Sequence, residues 1–247
     1  MIYHVLDTRS EIGLPDRKVI DCLHPERRLK ASCFHALSDT LSSIAAWTLL
    51  QVAIDNEYPD IFGFDINHEE LEYDICGKPY FLKRPKIQFS LSHSGEAIMC
   101  ALADEPVGCD IELKERFVDI GDSFKSHVLH QNEIKFIQSL TSDEMARAIC
   151  ILWTMKESYT KKRGVGLSET FSLIDFSTQI GRCLVGGGSG SSTAVTFGLF
   201  GHEFTWYEKD GFSLCACGNR RLTVFGDCGT ELQIRWHGSS KACQRRN

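Results

Sequence analysis

Six residues, Val107-Gly108-Cys109-Asp110-Ile111-Glu112, restrict what this chain can become more than any other stretch. In a strand, successive side chains point to opposite faces. Val107, Cys109 and Ile111 then fall on one side and Gly108, Asp110 and Glu112 on the other. The first set belongs in a core. The second places two carboxylates one repeat apart, about 7 Å along the chain, and Gly108 leaves room beside them for a ligand. Oxygen donors so spaced suit a hard divalent cation, and they equally suit a solvated strand edge. Six residues alone leave both readings open.

A second segment narrows the choice. Met145, Ile149, Leu152 and Trp153 recur at helical spacing, Thr141 and Glu144 have the form of a capping box, and Gly164 stands where the helix should stop. The pattern predicts a helix of several turns. Glu157 and Lys161, four apart, stack on one face, while Lys156 is turned by about 100° to an adjacent line. This surface is either an ordinary exposed ion pair or the charged part of a site.

The chain has 247 residues, 43% of them hydrophobic and 24% charged, which is ordinary for a globular protein of one large or two small domains. A formal net charge of -6 argues against a general nucleic-acid binder, so any phosphate-binding surface must be local. No charged-then-apolar leader precedes a cleavage site, and no apolar run looks long enough to span a membrane; a cytoplasmic protein is expected. The 11 cysteines include no Cys-x-x-Cys pair. Cys100, Cys109, Cys150 and Cys215 lie in apolar runs, so buried, reduced thiols are expected rather than disulfides or zinc.

Taken in order, residues 1–6 read as a strand, 15–21 as a polar connection, 25–30 as a basic helical segment and 37–54 as a core helix. Arg27 and Lys30, three apart, either meet a phosphate or are solvated. No Lys or Arg occurs from Ala31 to Gly77. Residues 85–89 lead into a strand that Ser92-His93-Ser94-Gly95 is expected to interrupt, and 97–102 reads as a buried strand. For His93, the flanking hydroxyls and Gly95 favour a phosphate donor over a core histidine. A Ser92–His93 hydrolase pair is disfavoured, because neighbours on a strand point apart and no Gly-x-Ser-x-Gly elbow is present. Further strands are expected at 171–176, 182–185, 194–199, 203–207 and 212–217. A flexible glycine-rich connection is expected at 186–192 and a disordered tail at 238–247.

Together, Val107 to Glu112 and Trp153-Thr154-Met155-Lys156-Glu157-Ser158-Tyr159-Thr160-Lys161, followed by Gly164-Val165-Gly166-Leu167, resemble the paired signature of 4'-phosphopantetheinyl transferases of the surfactin-synthetase-activating type. The resemblance extends to Gly77-Lys78-Pro79-Tyr80, to Phe89-Ser90-Leu91-Ser92-His93-Ser94 and, more weakly, to 25–30. It implies an α+β fold of two similar subdomains related by a pseudo-twofold axis. Residues 1–105 would form the nucleotide side of the coenzyme A site, and 106–237 the subdomain carrying the metal motif.

The resemblance further implies transfer of 4'-phosphopantetheine from coenzyme A to a serine of an apo acyl or peptidyl carrier protein, with release of adenosine 3',5'-bisphosphate. Such carriers serve fatty-acid, polyketide or nonribosomal-peptide synthesis. Asp110, Glu112 and Glu157 would hold Mg²⁺, and Glu157 and Lys161 would act in catalysis. Arg27, Lys30, Ser43, Lys78, Ser92, His93, Lys156 and Lys161 would contact coenzyme A. The implied partners are coenzyme A and the carrier, with no nucleic acid and no membrane, for a monomeric enzyme. Two features depart from the pattern: an expected Arg is replaced around Ser42 and Ser43, and Ser90 stands for an Asn. A Mg²⁺-dependent phosphohydrolase and a non-catalytic coenzyme A or carrier-binding homologue are the alternative readings.

Overall fold

A computed structural model describes residues 1–15, 17–61, 63–165, 170–186 and 193–229. The glycine-rich connection beyond Gly186, Gly166 and Leu167 of the second motif, and the expected tail lie outside the described residues. Among the described residues two compact units result, one from 1–73, 79–104 and 224–229, the other from 74–78 and 105–223.

In the first unit, β1 (Ile2–Val5), β4 (Gln88–Ser94), β5 (Ala97–Ala103) and β10 (Val224–Asp227) form a sheet of order β10-β1-β5-β4. β10 runs parallel to β1, and the other pairs are antiparallel. A boundary at 105/106 would leave residues 224–227 with the C-terminal part; their pairing with β1 corrects that expectation, since a short strand is placed by its ladder and not by its position in the chain. The hairpin β2 (Leu71–Tyr73) and β3 (Pro79–Phe81) stands apart from this sheet. Ser92 to Ser94 do not interrupt β4, which runs to the turn where Gly95 takes φ +58° and so supplies the left-handed backbone.

Helix α4 (Leu37–Glu57) packs on β4 and β5. From Ser42 to Ile54 every residue but Thr48 is buried. With 21 residues it is long and apolar enough, by length and composition, to cross a membrane, contrary to the sequence expectation. Here that apolar surface covers the sheet, which accounts for it as a core helix. Before α4 come α1 (Thr8–Ile12), α2 (Arg17–Cys22) and α3 (Pro25–Ser32). Helix α2 replaces the expected polar connection; it fully buries no residue and packs the half-buried Val19 on the core, too small an apolar contact for a sequence pattern to reveal.

The second unit is built on β6 (Gly108–Leu113), β7 (Val195–Leu199), β8 (His202–Lys209) and β9 (Phe212–Gly218), all antiparallel in the order β6-β9-β8-β7. Helices α5 (Asp122–Val128), α6 (Gln131–Ile137) and α8 (Ser177–Gly186) surround α7 (Ser142–Arg163), which packs on β6 and β9. The strand expected at 182–185 lies within α8, whose buried Ile180 and Cys183 are three apart, a helical interval. The strand expected at 171–176 is a 3₁₀ turn over Phe171–Leu173, set by packing of Phe171 against Trp153 with centroids 5.4 Å apart. Cys100, Cys109, Cys150 and Cys215 are buried thiols, as their apolar runs predict.

Helix α7 is bounded as its sequence dictates. The Thr141 hydroxyl accepts the N–H of Glu144, and the Glu144 carboxylate answers the N–H of Thr141. Gly164, at φ +72°, closes the far end. The helix lies close to β6: a Cβ on Gly108 would stand 2.0 Å from the Ser158 carbonyl and 2.3 Å from the Lys162 nitrogen. Sequence reading left that space for a ligand; the helix backbone fills it. Replacing Gly108 by Ala therefore forces helix from strand, and denaturant unfolding should show a loss of about 3 kcal/mol or no folded protein.

Candidate active site

The contact between β6 and α7 assembles the charged groups. Asp110 is paired in register with Cys215, whose side chain belongs to the core under α7, so the Asp110 carboxylate also faces the helix. Lys161 Nζ donates to Asp110 Oδ1 at 2.7 Å, with Asp110 only 4% exposed. Glu157 lies one turn before Lys161 on the same face. Burial pushes the Glu157 carboxyl up to about 7; Lys161 draws it back, and Asp110 and Glu112 push it further up. Burial disfavours the Lys161 ammonium, yet Asp110 and Glu157 outweigh it and hold the group up at about 12. Lys161 is thus a fixed cation between two acids.

Glu112 is held differently. Its carboxylate accepts from Arg116 Nη1 at 2.9 Å, and Arg116 is 58% exposed. An ion pair so open to water contributes little, typically under about 1 kcal/mol, and is easily exchanged. Among the described residues, no three Asp, Glu, His or Cys side chains gather into a group able to hold a metal ion unaided. The three-carboxylate set is therefore not preformed as a cage. Its chemistry still fits Mg²⁺, which commonly takes one or two carboxylates and completes its shell with water and substrate phosphates.

Lys78, in the loop 74–78 that clusters with this unit, donates from Nζ to the Val107 carbonyl at 2.7 Å, at the entrance to β6. Burial pulls its ammonium down to about 8, against the pull of Asp74.

The other expected contacts belong to the first unit. Arg27, on α3, sits over the Trp47 ring at 5.2 Å, and burial lowers its guanidinium to about 10. Lys30 is exposed near the end of α3. Ser43 is 1% exposed inside α4, while the neighbouring Ser42 hydroxyl donates to the Gly95 carbonyl at 2.7 Å. Ser92 is buried on β4, and the half-buried His93 ring meets Phe34 edge-on at 5.6 Å.

Lys156 departs from expectation. Its side chain is fully buried among α5, α6 and the 3₁₀ turn, with Nζ donating to the Val128 carbonyl at 2.8 Å, to the Phe171 carbonyl at 2.9 Å and to Glu133 Oε2 at 2.6 Å. All three ammonium protons are used, so none remains for a ligand phosphate. The rotation of about 100° from Glu157 explains why: it carries Lys156 off the face of Asp110 and into the core.

Glu133 escaped sequence reading. Its carboxylate also accepts the backbone N–H groups of His130 and Phe176, each at 2.8 Å. The signal was a capping box, His130 to Glu133, masked because histidine is not a usual N-cap. Removing one partner of a buried pair strands the other charge, so Lys156→Met and Glu133→Gln should each cost about 3–5 kcal/mol by denaturant unfolding. The double variant should lose less than the sum.

Comparison with known proteins bears on the same region. Residues 106–217 match the family model described as the 4'-phosphopantetheinyl transferase superfamily. A 4'-phosphopantetheinyl transferase of Bacillus subtilis is 32% identical over 169 residues, covering 68% of this chain and 71% of the relative. The 4'-phosphopantetheinyl transferase Sfp of Bacillus subtilis (strain 168) is 30% identical over 168 residues, with 68% and 71% covered. The 4'-phosphopantetheinyl transferase AcpT of Salmonella typhimurium is 36% identical over 96 residues, or 38% of this chain and 50% of the relative. The matched segment holds Asp110, Glu112, Glu157 and Lys161, and the longer matches cover more than two thirds of each relative. By this similarity the chain belongs to the 4'-phosphopantetheinyl transferase superfamily.

Proposed function

We propose that this chain transfers the 4'-phosphopantetheine group of coenzyme A to a serine hydroxyl of an apo acyl or peptidyl carrier protein, releasing adenosine 3',5'-bisphosphate. The observation that carries the reading is the Lys161–Asp110 contact of 2.7 Å beside Glu157, inside the segment that matches the family. In the reaction the serine oxygen bonds to the pantetheine-bearing phosphorus. The bridging P–O bond breaks, and its electron pair leaves with adenosine 3',5'-bisphosphate. Such a transfer depends on alignment and charge neutralisation.

Mg²⁺, when bound, would offset charge on the diphosphate; Asp110, Glu112 and Glu157 would hold it together with phosphate oxygens. Lys161 would neutralise or protonate the leaving phosphate. Glu157, with a carboxyl raised to about 7 by burial, or a water it holds, takes the serine proton. Arg27, Lys30, Lys78, Ser92 and His93 are proposed to contact the nucleotide; Ser43 would do so only through its buried hydroxyl. The first unit is taken as the nucleotide side and the second as the catalytic side. A pseudo-twofold relation is supported by a shared plan, one long helix on a four-stranded sheet. The setting we propose is a monomer in the cytoplasm, with no role for nucleic acid or membrane; free thiols suit a reducing compartment and net charge -6 is unsuited to nucleic acid.

Incubation with coenzyme A, Mg²⁺ and a set of apo carriers, followed by weighing each carrier, tests the reading. A carrier heavier by one phosphopantetheine supports it. Free phosphopantetheine without carrier, or binding with no turnover, overturns it. Asp110→Ala, Glu112→Ala and Glu157→Ala should each lower kcat by about 100-fold or more while the protein stays folded, and their effects should not add. Near-normal turnover of Asp110→Ala in limiting Mg²⁺ would contradict the metal assignment.

Arg27→Ala and Lys30→Ala should each raise the KM for coenzyme A by roughly tenfold with a smaller change in kcat, since a charge-assisted bond contributes about 1.5–3 kcal/mol. Dephospho-coenzyme A should show little difference between variant and parent. Equal losses on both donors would place these residues in another task, such as docking the carrier.

A further inference from the structure

Arg27 sits in a frame made of first-unit residues that play no part in the mechanism above. Its guanidinium carbon lies 5.2 Å from the centroid of the Trp47 ring, within cation–π range. That indole is pinned in turn, its Nε1–H donating to Asn67 Oδ1 at 3.0 Å. The same oxygen accepts the backbone N–H of His24, also at 3.0 Å, and His24 is the N-cap of the helix that carries Arg27. One side-chain oxygen therefore ties the ring beneath the guanidinium to the start of the helix that bears it.

Asn67 is itself fixed. Its N–H donates to Asp65 Oδ1 at 2.9 Å, and the preceding Ile66 N–H donates to Gln51 Oε1 on α4 at 2.9 Å. The carboxylate next to Arg27 in sequence, Glu26, is occupied by the Tyr73 hydroxyl at 2.5 Å. Arg27 Nε remains buried with no acceptor among the described residues. A guanidinium held over an indole, with a buried N–H still to satisfy, is preordered for an anionic oxygen.

We propose that Trp47 and Asn67 are positioning residues for coenzyme A: they hold the Arg27 guanidinium where its N–H groups meet a phosphate oxygen of that substrate. The proposal rests on the reading of Arg27 as a phosphate contact. An arginine ordered in advance loses less side-chain freedom on binding, so the frame acts on affinity and hardly on the chemical step.

The test measures KM and kcat with coenzyme A and carrier, the calorimetric Kd of coenzyme A alone, and the melting temperature. The variants are Asn67→Leu, Trp47→Phe, Trp47→Leu, Arg27→Ala and the double Asn67→Leu/Arg27→Ala. Asn67→Leu should raise KM and Kd about fivefold with kcat within about twofold. Trp47→Phe keeps an aromatic face and should bind better than Trp47→Leu. The double variant should bind no more weakly than Arg27→Ala, because the frame acts through that side chain. Should Trp47→Leu fail to fold, Asn67→Leu and Trp47→Phe decide the matter. Unchanged binding in Asn67→Leu beside a weakened Arg27→Ala overturns the positioning role alone, as does full additivity in the double variant. Unchanged binding in Arg27→Ala overturns the reading of Arg27 and the positioning role with it.

Discussion

The approach of α7 to β6 at Gly108 is the constraint on which the second unit depends. Only a residue without a Cβ lets the helix backbone come that near the strand, and that distance brings Lys161 onto Asp110. With a larger residue at 108 the helix would stand off, the ammonium would lose its carboxylate, and Glu157 would face water rather than two other acids. Gly108 is therefore a packing residue with a chemical consequence.

Charge in this unit is divided between two roles by burial. The Lys156–Glu133 pair is sealed in the core with its hydrogen bonds satisfied, which makes it part of the scaffold. The Lys161–Asp110 pair stands at the margin: Lys161 is 29% exposed, and the adjacent Glu157 carboxyl is raised because burial and like charges oppose its ionisation. A carboxyl in that state is favoured by a nearby cation or by a proton. Adjacent residues, Lys156 and Glu157, thus part company, one sealed in the scaffold and the other beside the Lys161–Asp110 pair, because one helical step separates their faces.

The first unit solves another problem, keeping a basic side chain ordered where α4 and the loops around it offer no Lys or Arg from Ala31 to Gly77. An arginine on a short helix is steadied by an indole from the buried helix α4, and one asparagine oxygen joins the two. Trp47 lies on the helix that the sequence marks as core and is 2% exposed; its second role depends on what lies over its face.

Much of this protein was legible in its sequence. The capping box, the apolar stripe and Gly164 set the limits of α7, and the alternation from Val107 to Ile111 set β6, because local hydrogen bonding and residue periods of 3.6 and 2 are written in neighbouring residues. The spacing of Glu157 and Lys161 likewise put them on one face without any knowledge of the fold. What sequence could not determine were relations among residues far apart in the chain. That Gly108 meets a helix rather than a ligand, that Lys156 finds Glu133, that Val224 to Asp227 join β1, and that Asn67 links Trp47 to His24 are all products of packing. A hydrogen bond or a close contact between residues dozens of positions apart leaves no periodic trace, and only the tertiary structure decides which partners meet.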